Sequence, residues 1–257
     1  MDTFFEVVYK NIRIADVIIE VLDARDPLGT RNKRIEKFIT ENNKILILVI
    51  NKVDLVPKSV ALEWKKLFEN EFPTIFTGKK KKYGISIKIL KKEIRKLCKK
   101  SDIKILIIGY PNVGKSTLIN AIKGRQTVGT SPDPGYTRGK QYIRLSEDIL
   151  LIDTPGIIPI DDMDELNLVL KNALRIEKVK DPYFIIAEIL KKTDKKILIK
   201  TYGIEFTDLD DLLEKFARKR GKLLPGNKPN VEEAARIIIR DWQRGKIPYY
   251  FFPPVNK

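Results

Sequence analysis

The sequence predicts an α/β fold, in which helices cover a mainly parallel β-sheet with one antiparallel edge strand, followed by a smaller all-helical domain. Apolar runs typical of buried strands alternate with helical segments up to about residue 165. Two later strand-like runs are separated only by Ser146 and Glu147, a spacing that predicts a hairpin. After residue 165 the strand signal fades. We therefore divide the chain into a first domain of residues 1–164 and a second of residues 165–257.

Strands and helices alternate along the first domain. The predicted strands cover residues 14–22, 45–50, 102–108, 141–145 and 148–152. The predicted helices cover residues 1–13, 34–39, a segment that opens at Ser59, 85–100 and 116–122. Within residues 85–100, one apolar stripe formed by Ile87, Leu90, Ile94 and Leu97 indicates an amphipathic helix.

The second domain contains four predicted helices. They cover residues 166–178, 182–192, 209–219 and 231–244. Asp181 before Pro182 is typical of a helix start, because the first turn does not use the N–H that proline lacks. Asn230 with Glu233 resembles a capping box, and Gly221 suits a helix end.

The chain carries a large excess of positive charge. It has 50 Lys and Arg against 34 Asp and Glu, a net charge of +16. This excess indicates a polyanionic partner such as nucleic acid. Lysine-rich and glutamate-rich surfaces that serve solubility in heat-adapted proteins are the alternative.

Cysteine content and hydropathy indicate the cellular location of the chain. Cys98 is the one cysteine, so neither a disulfide framework within the chain nor a cysteine zinc site is possible. The first six residues do not resemble a signal peptide, and no apolar run approaches the roughly 18 residues that span a bilayer. We expect a cytoplasmic monomer without a membrane partner.

Residues 109–116 match the phosphate-binding pattern G-x-x-x-x-G-K-S between a predicted strand and a predicted helix. Gly109 and Gly114 would let backbone N–H groups point at phosphates, and the helix N-terminus adds partial positive charge. Lys115 would reach the β- and γ-phosphates, and Ser116 would bind Mg²⁺. The alternative interpretation is an ordinary glycine turn before a helix. Such a turn would not require a strand before it or the Lys115-Ser116 pair after it. The phosphate-binding candidates in this loop are Asn112, Val113, Gly114, Lys115, Ser116 and Thr117.

Asp153, Thr154, Pro155 and Gly156 directly follow a predicted strand. A strand end of this kind is where P-loop nucleoside triphosphatases place the aspartate associated with Mg²⁺. Gly156 would donate its N–H to the γ-phosphate. Taken alone, the same four residues are typical of a common turn.

A loop rich in proline and glycine, residues 131–139, lies between these two motifs. Thr137 in this loop is our candidate for the switch threonine that caps Mg²⁺, and Thr130 is the alternative. The predicted Mg²⁺ ligands are therefore Ser116, Thr137 and Asp153, and the predicted catalytic residues are Lys115, Thr137 and Gly156.

Asn51, Lys52, Val53 and Asp54 close an apolar strand in a pattern that suits guanine recognition. The Asp54 carboxylate can accept hydrogen bonds from the guanine N1–H and exocyclic amine, which adenine does not offer. The stem of Lys52 would cover the base. Thr77 and Gly78 resemble, with two departures, the S-A-K loop that backs guanine, although a plain turn would look similar.

The guanine motif precedes the phosphate loop, the reverse of the Ras-like order. This order resembles the circularly permuted YlqF/YawG-type GTPases of ribosome assembly. Residues 23–32 resemble that family's D-A-R-x-P run ending in R-N, and residues 109–116 match its G-x-P-N-V-G-K-S form. Residues 218–224 and 241–248 resemble its C-terminal signature, so the resemblance covers almost the whole chain.

The resemblance implies a circularly permuted Ras-like P-loop domain that binds GTP or GDP with Mg²⁺ and hydrolyses GTP. It implies the large ribosomal subunit precursor and its rRNA as partners. Ile157 stands where Ras-like enzymes place a water-orienting glutamine, which implies slow hydrolysis. By resemblance, Asn112 would hold a K⁺ ion. The chain has no histidine, whereas bacterial members carry an N-terminal histidine proposed to assist catalysis.

The second domain carries the candidate RNA contacts. Arg236, Arg240 and Arg244 recur every four residues on one predicted helix and could follow a phosphate backbone. A solvated face with Glu232 paired to Arg236 is the alternative. Arg218, Arg220 and Lys222 lie nearby in sequence and favour RNA.

Three competing functions follow from the sequence. The first is an RNA-binding scaffold in which nucleotide only stabilises the fold. The second is a GTPase of tRNA modification or membrane signalling, which the absence of a lipid anchor, a metal-binding cluster or a second catalytic domain disfavours. The third is an ATPase, which Asp54 and its neighbours disfavour.

Overall fold

The computed structural model describes residues 3–78, 87–123, 142–152, 164–172, 174–191 and 193–254. The chain divides into two compact units. The first comprises Met1–Pro159 together with Phe251–Lys257, and the second comprises Ile160–Tyr250.

The first unit contains a six-stranded sheet. Its strands are β1 (Val17–Asp23), β2 (Ile45–Asn51), β3 (Thr74–Phe76), β4 (Ile103–Ile108), β5 (Tyr142–Ser146) and β6 (Ile149–Ile152). The strand order is β3-β2-β1-β4-β6-β5. All neighbours pair in parallel except β5 and β6, which form an antiparallel hairpin with β5 at the edge. The α/β class and the antiparallel edge strand predicted from the sequence are confirmed.

Five helices of this unit lie among the described residues. They are α1 (Thr3–Ile14), α2 (Lys33–Glu41), α3 (Lys58–Glu69), α4 (Ile87–Leu97) and α5 (Lys115–Lys123). β1 is buried along its whole length, as expected of a parallel strand covered on both faces. Trp64 and Phe68 fill the core from α3, and Leu90 and Ile94 do so from α4.

The second unit is mainly helical. Its helices are α6 (Glu165–Leu170), α7 (Pro182–Lys191), α8 (Lys195–Tyr202), α9 (Leu209–Lys219) and α10 (Val231–Gln243). They enclose a core that includes Ile186, Leu213, Phe216 and Trp242. A short antiparallel hairpin, β7 (Leu223–Leu224) with β8 (Lys228–Pro229), joins α9 to α10.

Three features of the second unit differ from the prediction. The helix expected over residues 166–178 ends at Leu170, and Ile176–Lys178 forms a separate 3-10 turn. Asn172 breaks the helix because its φ of 62° is left-handed, and its side chain donates a hydrogen bond to the Gln243 carbonyl. The helix α8 and the hairpin β7–β8 were not predicted, so the domain is not entirely helical.

The chain returns to the first unit at Phe251. The Phe251 N–H donates to the Arg25 carbonyl at 2.8 Å, and the Trp64 indole Nε1–H donates to the Phe251 carbonyl at 2.9 Å. The predicted boundary, which assigned residues 165–257 to one domain, therefore differs from the division that these contacts favour.

Among the described residues, no helix is both long and apolar enough to cross a bilayer.

Candidate nucleotide-binding site

The carboxyl ends of the central strands bring two predicted loops together. β1 pairs with β2 so that Asp23 lies opposite Asn51, and β1 pairs with β4 so that Glu20 lies opposite Ile108. The loops that follow β2 and β4 therefore leave the same edge of the sheet. In open α/β sheets this edge is where ligands bind.

The loop after β4 has a backbone that requires glycine at two positions. Gly109 has a φ of 142° and Gly114 a φ of 108°. A Cβ at Gly109 would lie 2.5 Å from the Val21 carbonyl oxygen, and one at Gly114 would lie 2.0 Å from Nδ2 of Asn51. The loop can therefore pack this closely against β1 and the guanine motif only with glycine at both positions.

Lys115 turns its side chain back over this loop. Its Nζ donates to the carbonyl oxygens of Gly109 at 2.9 Å and Tyr110 at 2.6 Å. Burial lowers the pKa of the ammonium from 10.5 to about 8, because burial disfavours the charged form. The loop thus encloses a cation that an incoming phosphate would stabilise.

The first turn of α5 begins at Lys115, directly after the loop. The leading N–H groups of a helix have no acceptor within the helix and carry partial positive charge. The side chains of Ser116 and Thr117 in this turn are exposed. Asn112, the proposed K⁺ ligand, is exposed with a φ of 60°, and Val113 is buried.

Asn51 joins the guanine motif to both neighbouring loops. Its Nδ2 donates to the Val113 carbonyl of the phosphate loop at 2.7 Å, and its Oδ1 accepts from Thr77 Oγ1 at 2.9 Å. The Thr77 N–H donates to the Ile50 carbonyl, and the Thr77 carbonyl accepts from the Val53 N–H. Asn51 and Thr77 therefore hold three loops together.

Asp54 lies against the loop that follows β3. A Cβ at Gly78 would come 2.7 Å from Oδ1 of Asp54. Glycine at this position leaves room for the carboxylate, which gives a physical reason for the departure from the S-A-K pattern. Asp54 is half-buried in a short 3-10 turn, Val53–Leu55.

Lys52 contacts Asp23, a residue for which the sequence predicted no chemical role. Its φ is 61°, and its Nζ forms an ion pair with Oδ2 of Asp23 at 2.8 Å. Asp23 also forms an ion pair with Arg25. The D-A-R run of the sequence was the available signal for this cluster, but no chemical role was assigned to it.

Several predicted residues lie outside the part of the chain that the structure describes. These are Thr130, Thr137, Asp153 and Gly156. Ser116 is therefore the predicted Mg²⁺ ligand that can be located. β6 ends at Ile152, immediately before Asp153, and lies beside β4. Among the described residues, no group of three or more Asp, Glu or Cys side chains could hold a metal.

The candidate RNA contacts of the second unit fall into two groups. Arg218, Arg220, Lys222 and Arg244 are exposed, although Arg218 Nη1 donates to the Asn227 carbonyl at 3.5 Å and the Arg220 guanidinium lies 5.4 Å from the centre of the Phe216 ring. Arg236 donates to the Ile176 carbonyl at 2.8 Å and pairs with Glu232 at 2.9 Å, and Arg240 pairs with Glu177 at 3.5 Å. The alternative role predicted for Arg236, a pair with Glu232, is therefore present.

Comparison with known protein families decides the identity. Residues 7–162 match the RsgA GTPase family, and residues 104–223 match the family of 50S ribosome-binding GTPases. The chain belongs to the RsgA GTPase family. The predicted resemblance to circularly permuted GTPases is confirmed, and so is the assignment of the chain as a GTPase at the level of the family.

Comparison with individual relatives and solved structures shows similarity over nearly the whole chain. The crystal structure of GNP-bound YlqF from T. maritima has a TM-score of 0.69 and 28% identity, with 96% of each chain covered. Nucleolar GTP-binding protein 2 of Schizosaccharomyces pombe is 40% identical over 95% of this chain and 47% of its own length. An uncharacterized GTP-binding protein of Methanocaldococcus jannaschii is 40% identical over 95% of this chain and 66% of its own length. The chain thus spans about half to two thirds of the length of these two relatives.

The cytoplasmic location expected from the sequence is wrong by the same comparisons. The Schizosaccharomyces pombe relative is named a nucleolar protein, and further relatives carry nuclear or nucleolar names. A signal-peptide pattern and a bilayer-spanning run are the features on which that expectation depends, and neither of them distinguishes compartments inside the cell.

Proposed function

We propose that this protein binds GTP with Mg²⁺, hydrolyses it, and acts as a nucleotide-controlled factor in assembly of the large ribosomal subunit through rRNA binding. The observation that carries the proposal is the 2.7 Å hydrogen bond from Asn51 to the Val113 carbonyl. It joins the guanine motif to the phosphate loop, so that one GTP could meet Asp54 at its base and Lys115 at its phosphates.

The residues of the loop suit the charge of a nucleotide. The Lys115 ammonium and the first turn of α5 supply positive charge for the phosphates. The exposed Ser116 hydroxyl is an oxygen ligand of the kind that Mg²⁺ prefers. Bound Mg²⁺ would neutralise charge on the phosphate oxygens, with Thr137 and Asp153 as the further proposed ligands. Gly156 would donate its N–H to the γ-phosphate.

Base selectivity tests the guanine end of the site. Replacing Asp54 by Asn exchanges an acceptor for a donor, so Asp54→Asn should weaken GDP binding and favour xanthosine diphosphate, whose base offers a carbonyl in place of the amine. Asp102→Asn removes an exposed carboxylate of the same unit and serves as the matched control. Titration with fluorescent GDP and XDP measures both affinities. An Asp54→Asn protein that keeps the wild-type preference for GDP would exclude this mode of base recognition.

Slow intrinsic hydrolysis is part of the proposal, with K⁺ at Asn112 as the activating ion. Comparing GTP turnover in K⁺ and Na⁺ buffers tests the ion, and equal rates would exclude a role for K⁺ in hydrolysis.

The second candidate function, an RNA-binding scaffold, is favoured by the exposed basic residues Arg218, Arg220 and Lys222. Large-subunit precursor particles should stimulate GTP turnover if the chain acts as a GTPase factor, whereas a scaffold would show no stimulation.

The surface proposed for rRNA combines the exposed group Arg218, Arg220, Lys222 and Arg244 with Arg236 and Arg240. Arg236 and Arg240 are already paired with the carboxylates of Glu232 and Glu177, so we assign them the lesser share of RNA binding. Charge clusters of this kind position a protein on a phosphate backbone rather than select a sequence.

A further inference from the structure

Asp23 is a buried carboxylate at the edge of the proposed guanine site. It is the last residue of β1, and its side chain is 5% exposed. A buried charge is costly unless it is paired and hydrogen bonded. Oδ1 accepts from Arg25 Nε at 2.9 Å, and Oδ2 accepts from Arg25 Nη2 at 2.7 Å and from Lys52 Nζ at 2.8 Å. Both oxygens are therefore satisfied by cations.

These cations decide the ionisation of Asp23. Burial alone would raise the pKa of the carboxyl, but the hydrogen bonds and charges of Arg25 and then Lys52 outweigh burial and hold the pKa well below its usual range. Asp23 is therefore a fixed negative charge at neutral pH, and it faces the ammonium of the guanine motif.

The residues after Asp23 fold back to support it. The Asp23 N–H donates to Thr30 Oγ1 at 3.1 Å, and the Thr30 hydroxyl donates to the Asp26 carbonyl at 2.7 Å. The Gly29 N–H donates to Asp26 Oδ1 at 2.9 Å. The D-A-R run therefore forms a compact turn that fixes the Asp23 backbone.

Lys52 is held in a defined position within its motif. Its neighbour Asn51 is fixed on the phosphate loop, and its own ammonium is fixed on Asp23. A lysine side chain has a flexible four-carbon stem and loses considerable conformational entropy when that stem is ordered. An anchor that already holds the ammonium reduces the entropy that the stem must lose when it covers a base.

We propose that Asp23 is a positioning residue for guanine binding, which anchors the Lys52 ammonium so that the Lys52 stem covers the base, while Arg25 holds Asp23 in place. The inference rests on the proposed function, because it assumes that the Asn51 to Asp54 motif binds guanine.

A double-mutant cycle tests the inference. The proteins are wild type, Asp23→Asn, Lys52→Met and the double variant, and the measurement is the Kd for fluorescent GDP. Lys52→Met keeps an apolar stem but removes the ammonium. Each single variant should bind GDP about tenfold more weakly, the effect of losing one hydrogen bond to a charged group. The double variant should bind no more weakly than Lys52→Met alone, because both changes remove the same interaction.

Glu36→Gln is the matched control. Glu36 is also a buried carboxylate paired with an arginine, Arg31 at 2.6 Å, but it lies on α2 rather than beside the guanine motif. This variant should keep GDP affinity within about twofold of wild type. Chemical denaturation without nucleotide reports the stability of every variant.

Multiplicative effects of the two changes would overturn the inference, as would wild-type affinity in Asp23→Asn or an equal loss in Glu36→Gln. If Asp23→Asn does not fold, comparison of Lys52→Met with Lys52→Arg decides the question. Arginine can still pair with Asp23 and should retain most of the affinity, and equal affinities of these two variants would contradict the anchor. A wild-type chain that does not prefer guanine nucleotides would instead overturn the proposed function.

Discussion

Lys115 shows how a single residue is prepared for an anion. Its ammonium lies over the phosphate loop and donates to two carbonyl oxygens of that loop. Burial nevertheless brings its pKa down to about 8. Phosphates bound nearby would favour the charged form and raise the pKa again. Nucleotide binding in mildly alkaline solution is therefore expected to take up a proton.

This linkage predicts how GDP affinity changes with pH. Above pH 8 the free protein loses the Lys115 proton while the complex keeps it, so affinity should fall by about tenfold between pH 7 and pH 9. Isothermal titration at several pH values in buffers of different ionisation enthalpy measures both the affinity and the proton uptake. Lys115→Met should bind weakly with no such slope over this range, and a wild-type affinity independent of pH would contradict the linkage.

At the scale of an element, helix α3 holds the returning chain. Trp64 is almost fully buried, and its indole N–H is bonded to the Phe251 carbonyl. The Phe251 N–H is bonded in turn to Arg25, the residue that pairs with Asp23. A short extended segment is thus tied at both its N–H and its carbonyl.

Trp64→Phe should loosen this segment while it keeps an aromatic ring in the core. Loss of the indole hydrogen bond leaves a carbonyl less well satisfied, at a cost of about 1 kcal/mol. Hydrogen exchange of a peptide covering residues 249–254 should become faster. Leu62→Ala on the exposed face of the same helix is the control and should leave this exchange unchanged. Equal protection in both variants would show that the indole does not hold the segment.

Helices in which apolar residues recur at a regular spacing could be predicted from the sequence. Helix ends and turns that depend on the backbone conformation of one or two residues could not. The helix α9 begins and ends where its pattern predicted, at Leu209 and Lys219. Asn172 ends a periodic pattern early because it adopts a left-handed φ, which asparagine tolerates but does not require. The turn at Gly226 and Asn227, both with positive φ, creates a hairpin between segments too short to show strand alternation.

In the site, the loops could be found from the sequence, but the cross-links between them could not. Gly109, Gly114 and Lys115 stand at spacings that a phosphate loop requires. The bonds from Asn51 to Val113 and from Lys52 to Asp23 join residues that are 62 and 29 positions apart. Such pairs depend on which strands are neighbours in the sheet, and the sequence does not state this directly. Its one signal of the permuted arrangement is that the guanine motif precedes the phosphate loop.

At the scale of the whole molecule, the net charge of +16 makes salt a test of the proposed partner. Replacing Arg218, Arg220 and Lys222 together by Gln should weaken binding to transcribed large-subunit rRNA. Removing three phosphate contacts should also lower the slope of log K against log salt by about 2. Filter binding at several salt concentrations measures both effects.

The control for this prediction removes the same charge elsewhere. Lys37, Lys58 and Lys66 are exposed lysines of the first unit, and their replacement by Gln changes the net charge equally. If both triple variants lose the same affinity and the same salt slope, RNA is attracted by overall charge rather than by the proposed surface.

The position of β1 at the centre of the sheet has a consequence for biosynthesis. β1 is made before β4, which pairs along one of its edges and follows about 80 residues later. At about 5–20 residues per second, translation leaves that edge without its neighbour for about 4–16 seconds. An apolar strand with an open edge can pair with another nascent chain. Until Ile103 emerges, this edge of the newborn polypeptide is therefore open to such pairing, and crowded polysomes would raise the demand on chaperones during the interval.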